Sequence, residues 1–475
     1  MTSARIEKRP RVAIVGGGLA GLAAAVAAGE RGMGVELFEQ TKTLGGRAGS
    51  FADAEIGETV DYCQHVAMGC CTEFLDFCRR TGIDDCFEHV HALHFISPEG
   101  GQCDFTPSRW LPAPFNLLPG LLRLSYLSLS ERWSIVRALH KLTRANNCRG
   151  TIGAWLRGQG QSDRSIERFW SVVLVSALGE TVDRASLAAA RKVFRDGFWA
   201  SREASTLVLP HLPLAEIFHD RVGKWLADHD VTVHLGTPVR KIEGGGRRAN
   251  AMVLADGARR EFDFAVVAVP WRSVRSLFAE NLLESMPSLA DVERIEPAAI
   301  TAIHLWFDRP ITRLPHAVLV GRLSQWLFAR ACGAGVPPAK NCADRMSARD
   351  CAGGAPAPQC GSLAPQYCQV VVSASHRQPP RKPEQWLADV RRELESVWPD
   401  ARQAELLHSR VVTLPAAVFS VMPESERLRP PQQTPLENLC LAGDWTSTGW
   451  PATMEGAVRS GRKAVDSLME RIAGG

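Results

Sequence analysis

The sequence predicts an α/β chain of two domains, and three observations carry that prediction. A strand, a glycine loop, a helix and a second strand open the chain between Arg11 and Glu39. A strand, a Gly-Asp turn and a long helix close it from Leu439 onward. Between them, helical patterns alternate with short β-branched runs bounded by glycine turns, which suits a second domain of antiparallel sheet plus helices.

Arg11-Val-Ala-Ile-Val15 is a short β-branched run suited to a buried parallel strand. It enters Gly16-Gly-Gly-Leu-Ala-Gly21, and the alanine-rich residues 22–29 suit a tightly packed helix. The spacing of Gly16, Gly18 and Gly21 fits the dinucleotide fingerprint. One glycine makes the turn, one admits a pyrophosphate to the backbone, and one lets helix approach strand. Leu19 and Ala20 then stand at a helix N-terminus, whose free N–H groups and positive dipole end face the phosphates. A second strand, 35–39, ends in Glu39, about 20 residues on, where a ribose contact belongs, with Gln40 beside it. This Rossmann-like order points to a bound dinucleotide and leaves FAD and NAD both open.

Leu44-Gly-Gly-Arg47 resembles the GG-Arg segment of the amine oxidase and carotenoid desaturase superfamily of flavoproteins. The resemblance implies FAD, with Gly45 and Gly46 letting the backbone pass near the diphosphate and Arg47 supplying charge-assisted contacts to it. The closing segment is similar to the superfamily's last motif: strand 439–442, Gly443-Asp444, a loop to Ala452, then a helix from Thr453. By that resemblance Asp444 bonds the ribityl or pyrophosphate part. The backbone at Thr453 and Met454 presents a helix N-terminus to the flavin N1/O2 side, where reduced flavin carries negative charge.

Residues 206–213 read as a loop and 215–229 as an amphipathic helix. Short strands follow at 231–235, 239–243, 250–255 and 261–269, with turns at 244–246 and Asp256-Gly257. In the resembling superfamily this stretch returns to the FAD domain, and Val239 contacts the adenine through its backbone. The expected division is an FAD-binding domain of 10–61, 206–284 and 430–475, and a substrate-binding domain of 62–205 and 285–429. An antiparallel sheet with strands at 300–307, 317–320 and 367–373 would face the flavin there. The Ala/Gly/Pro-rich segment 331–366 interrupts the pattern and reads as a disordered insertion. Its Cys332, Cys342, Cys351 and Cys360 have eight or nine residues between neighbours, unlike zinc ligands, so no metal is expected.

Within the superfamily the chain resembles the hydroxysqualene dehydroxylases, the squalene-associated flavoenzymes. The residues that carry this are Asp61-Tyr-Cys-Gln-His-Val-Ala-Met-Gly69, the proline-rich 110–120, Trp326-Leu-Phe328 with 370–375, and the run 441–457. Members usually have glycine where this chain has Cys63. The resemblance implies reduction of hydroxysqualene, a C30 isoprenoid, to squalene by hydride from reduced flavin, in squalene and hopanoid biosynthesis. Removing a hydroxyl requires a proton donor. His65 is the candidate acid with Asp61 as its partner, against the alternative that both only structure the loop after the GG-Arg segment.

Amine oxidases of the superfamily carry an aromatic residue where this chain has Thr453. They place a lysine on the strand that aligns with 300–304, where Thr301 stands. Both departures argue against amine oxidation. A carotenoid-type desaturase acting on phytoene or diapophytoene is the alternative, and a non-catalytic isoprenoid carrier is a lesser one.

The bulk numbers agree. Over 475 residues, 45% hydrophobic and 22% charged residues are ordinary globular values, and a net charge of +4 gives no reason to expect nucleic acid as a partner. No apolar run reaches the ~18–20 residues that span a bilayer, so a cytoplasmic chain is expected. Thirteen cysteines without a CxxC pair suggest free structural thiols. The apolar 110–122 leads into 123–149, which mixes leucines with Arg123, Arg132, Arg137, Lys141, Arg144 and Arg149. That pattern suits either a helix packed on its own core or peripheral docking on the anionic inner membrane, where a C30 substrate would be collected.

Overall fold

The computed structural model describes residues 9–146, 148–331 and 364–474. The expected insertion at 331–366 falls almost wholly at 332–363, outside the described residues.

The opening and closing segments share one sheet. Its five strands are all parallel, in the order Thr232–His234, Gly34–Phe38, Arg11–Val15, Phe264–Val267 and Leu439–Leu441. Both faces are covered, so Val12, Ile14 and Val266 are buried. Helix Leu19–Glu30 lies on one face with residues 19–28 all buried, and helix Met454–Gly474 packs directly against it. Alanine and glycine on both helices permit the approach: a Cβ on Gly461 would collide with the Ala20 carbonyl.

The expected strand 261–269 divides in two. Arg259–Glu261 belongs to a separate antiparallel sheet with Val239–Gly245 and Arg248–Leu254, while Phe264–Val267 enters the parallel sheet. The chain crosses between them at Asp263, whose carboxylate accepts from the Arg11 backbone N–H at 2.9 Å. Asn438 holds the same turn through the Asp263 carbonyl.

A seven-stranded sheet forms the second layer. Its order is Leu406–Phe419, Pro297–Phe307, Gln366–Val372, Trp326–Ala331, His316–Leu319, Leu93–Ile96 and Gln102–Phe105. All neighbours are antiparallel except His316–Leu319 with Leu93–Ile96. The sequence reading foresaw three of the central strands and missed Trp326–Ala331, Leu93–Ile96, Gln102–Phe105 and Leu406–Phe419. The last contains Pro415, which argues against a strand interior but is tolerated at a sheet edge. It lies where the register against Pro297–Phe307 shifts, between the Leu414 and Val418 pairings.

Helices cover this sheet on the cavity side. Leu129–Arg144 begins with a capping box of Ser128 and Glu131, and buries Ile135, Ala138, Leu139 and Leu142. Val172–Leu178 and Leu187–Lys192 are each joined to a wider π-helical segment, Ile166–Ser171 and Val193–Phe198.

Candidate functional site

One cavity of about 1630 Å³ runs between the two layers. Single-ligand pockets usually measure about 300–1,000 Å³, so this space suits a dinucleotide and a second long ligand together. Gly16, Gly18, Leu19, Ala20, Glu39, Gln40, Gly45, Gly46, Arg47 and Val239 line one end, with Gly443, Asp444, Thr453 and Met454 beside them. All fourteen expected cofactor residues besides Gly21 therefore line this cavity, and segments hundreds of residues apart meet. Gly21 lies behind the wall, where a Cβ would collide with the Gly16 carbonyl; its role is helix–strand approach.

The residues at this end fit FAD. Gly16 has φ +108°, and a Cβ there would sit 2.6 Å from the Ala268 carbonyl. The two glycine loops are zipped by Gly45 N–H donating to the Gly17 carbonyl at 2.9 Å. A Cβ on Gly46 would crowd Gly18 Cα at 3.1 Å, so side chains would fill the cradle a diphosphate needs. Helix Leu19–Glu30 starts at Gly18 with no side-chain cap, leaving its first-turn N–H groups for an anion. Glu39 is fixed at the strand end: it accepts from Gly17 N–H at 2.6 Å and from Thr41 N–H at 2.8 Å.

Arg47 joins the two motifs. Its guanidinium donates to Asp444 Oδ1 at 2.5 Å and to the Ala417 carbonyl at 2.9 Å, and it lies 5.8 Å over the Trp271 ring. Arg429, which sequence reasoning missed, stands buried behind the closing loop. It donates to the carbonyls of Asp444 and Thr446 and to Thr448 Oγ1. Its local sequence shows only the Glu426 pair three residues before it, because the loop atoms it holds lie 15 to 19 residues away. Thr453 caps the closing helix, its Oγ1 accepting from Gly456 N–H at 3.1 Å. Glu455, fully buried, accepts from Phe74 N–H at 2.8 Å and so locks that helix to helix Thr72–Thr81.

His65 lines the cavity, and its Nδ1 is 2.9 Å from the Cys63 carbonyl. Donation from Nδ1 leaves Nε2 as the acceptor of a neutral ring. Burial holds its pKa below the ordinary imidazole value, more than the Cys63 carbonyl and the Asp61 charge restore it. Asp61 is off the cavity wall. Its Oδ1 accepts from Ser50 Oγ at 2.6 Å and from Leu214 N–H at 2.9 Å, and burial raises its pKa. Among the described residues no hydrogen bond joins it to His65. Thr301 does not face the cavity: its hydroxyl is 3.0 Å from that of Thr413, and its neighbour Ile300 lines the wall. The alternation of side chains along a strand accounts for the difference.

Much of the remaining lining of the cavity is apolar. Leu118, Leu121, Leu139, Phe169, Val172 and Phe194 line it, and it reaches Phe115 and Trp133, both exposed. Among the described residues no group of three or more His, Cys, Asp or Glu is placed to hold a metal, and no helix is long and apolar enough to cross a membrane.

The fold and the cavity define an FAD-dependent oxidoreductase of two-domain α/β architecture. The family described as flavin containing amine oxidoreductase matches residues 19–469, and the chain belongs to it. A hydroxysqualene dehydroxylase of Sinorhizobium fredii is 26% identical over 96% of this chain and 97% of its own. A probable zeta-carotene desaturase of Synechococcus elongatus is also 26% identical, over 98% and 99%. Among solved structures, an oxidoreductase from Methanosarcina mazei has a TM-score of 0.68 at 18% identity, covering 97% of this chain and all of that one. The cyclohexylamine oxidase of Brevibacterium oxydans reaches the same TM-score at 17% identity, covering 98% of this chain and 100% of its own. These two share the fold.

Proposed function

We propose that the protein reduces hydroxysqualene to squalene, with FAD as its redox group, in squalene and hopanoid biosynthesis. The observation that carries this is the single cavity that joins the dinucleotide cradle to a long apolar chamber. Bound reduced flavin would supply a hydride equivalent. The glycine loops and the Arg47–Asp444 pair would hold the cofactor, with Glu39, Gln40 and Val239 at its adenosine half and Thr453 and Met454 at the isoalloxazine. The apolar chamber would stretch out the C30 chain and exclude water from the reacting carbon. His65, on the cavity wall, is the candidate proton donor. Asp61 would fix the loop that carries it. The sheet strands drawn from both chain ends support the domain division 10–61, 206–284 and 430–475 against 62–205 and 285–429.

The second reading is a carotenoid-type desaturase, favoured by the cyanobacterial relative at equal identity and by a chamber that would also suit a polyene. Anaerobic titration separates the two. Photoreduced holoenzyme should be reoxidised by hydroxysqualene. Bleaching of oxidised holoenzyme by phytoene-like polyenes, with hydroxysqualene inert, would establish the desaturase instead.

Substrate collection from a bilayer belongs to the same proposal. Trp110, Phe115, Leu129 and Trp133 are 91%, 61%, 66% and 57% exposed, and two of them line the cavity. Arg109, Arg123, Arg137 and Lys141, close to them in the sequence, are all exposed. Exposed apolar side chains in a segment rich in exposed cations suit insertion at an anionic lipid surface.

A further inference from the structure

Lys192 sits where helix Leu187–Lys192 passes into the π-helical segment Val193–Phe198. Such widened turns recur at functional sites. Its side chain lines the cavity, half-buried. The Nζ is 2.6 Å from Asp196 Oδ2 and 4.8 Å from the centre of the Trp450 ring. Trp450 lines the same cavity, three residues before Thr453 in the loop that leads to the flavin side.

Charged groups cluster at and behind this wall. Asp196 also receives Arg195 Nε at 2.6 Å. Arg459 lies over the Trp450 ring at 5.7 Å and pairs with buried Glu455 at 2.9 Å. Of these groups only Lys192 and Glu455 line the cavity, and Glu455 is taken up by Arg459 and the Phe74 N–H. Lys224 and Asp228 form the same i,i+4 pair at the same 2.6 Å, but far more exposed and away from the cavity. Surface pairs of that kind contribute little. Placing such a pair on an apolar wall carries a desolvation cost, and a pure hydrocarbon returns nothing for it. An alcohol oxygen offers lone pairs to the ammonium donors that Asp196 leaves over.

We propose that Lys192, clamped by Asp196 and Trp450, binds the hydroxyl oxygen of an isoprenoid alcohol and so distinguishes it from the corresponding hydrocarbon. This rests on the dehydroxylase reading and adds the residue that sets its specificity. Lys192 orients the carbon–oxygen bond toward the flavin end, and product leaves because squalene has no oxygen to hold.

The test titrates oxidised holoenzyme with hydroxysqualene and with squalene in detergent micelles, following tryptophan fluorescence and flavin absorbance. Wild type should prefer the alcohol. Lys192→Met should lose about 10- to 100-fold in affinity for the alcohol, the value of a charged hydrogen bond, and keep its affinity for squalene. Lys192→Arg should retain much of the preference, and Lys224→Met all of it. An unchanged alcohol-to-squalene ratio in Lys192→Met, an equal loss for both ligands, or no preference in wild type overturns the assignment. Reoxidation of reduced wild type by hydroxysqualene is measured in parallel. If it fails, the dehydroxylase reading falls; if it succeeds while Lys192→Met keeps the preference, only the Lys192 assignment falls.

Discussion

His65 faces the cavity with a pKa pushed below the ordinary imidazole value by burial. As an acid it must be charged, and the charged form is lost as pH rises through that lowered pKa. The expected kcat/KM therefore falls with rising pH along a limb centred below about 6.5. His65→Ala should abolish that limb and lower turnover by about 100-fold or more, while FAD stays bound. Normal turnover in the variant would remove His65 from the mechanism. Asp444→Ala strands the Arg47 guanidinium and removes a cradle contact. FAD affinity should drop about tenfold or more, read as flavin retained through gel filtration. Much of this end was legible in the sequence because Gly16, Gly45 and Gly443, all at positive φ, answer backbone constraints that other residue types meet poorly. Lys192 and Arg429 were not legible. Each is an ordinary charged residue until folding sets Trp450 beside one and the Asp444 carbonyl beside the other.

At the scale of elements, the contact between helices Leu19–Glu30 and Met454–Gly474 links the two motifs through bare backbone at Gly461. Gly461→Val should force them apart, with about 1–3 kcal/mol of destabilisation and loss of flavin, measured by thermal unfolding with and without added FAD. Strand Leu406–Phe419 escaped the sequence reading because Pro415 and the mixed burial of a long edge strand hide its alternation. Its irregular register near Ala417 nonetheless matters, since the Ala417 carbonyl holds Arg47. Helix Leu129–Arg144 packs one face into the core, the first of the two readings of its sequence, and Leu129 and Trp133 stay exposed where membrane docking is proposed. Trp110→Ser with Trp133→Ser should abolish flotation with anionic liposomes and leave the flavin spectrum unchanged. If wild type does not float, the docking surface is disproved.

At the scale of the molecule, acid sensitivity follows from buried groups outside the site. Burial lowers His304 to about 3 and His316 to about 4. Between pH 6.5 and 4 the unfolded chain binds protons at both histidines and the folded chain does not. Stability is therefore full above about 6.5 and falls as the pH drops through that window. Burial would raise Glu180, but Arg377, Ser420 and the Thr181 N–H outweigh it and bring it to about 2. That adds a loss of the same sign below about 4.5. Asp61 and Glu58, both raised by burial, act in the opposite sense as the pH falls toward their ordinary values. The Tm should fall from pH 7 to pH 5, and His316→Leu should flatten that slope.

The two-layer plan was readable because a parallel strand buried on both faces and a glycine loop each leave local marks. The continuity of cradle and apolar chamber was not, since it depends on how sheet and helices stack. That continuity is the central claim, and anaerobic single turnover tests it. Photoreduced holoenzyme in heavy water, mixed with hydroxysqualene, should regain oxidised-flavin absorbance while forming one squalene per flavin, with deuterium at the carbon that lost oxygen. Flavin that stays reduced, or squalene formed without deuterium, would contradict it.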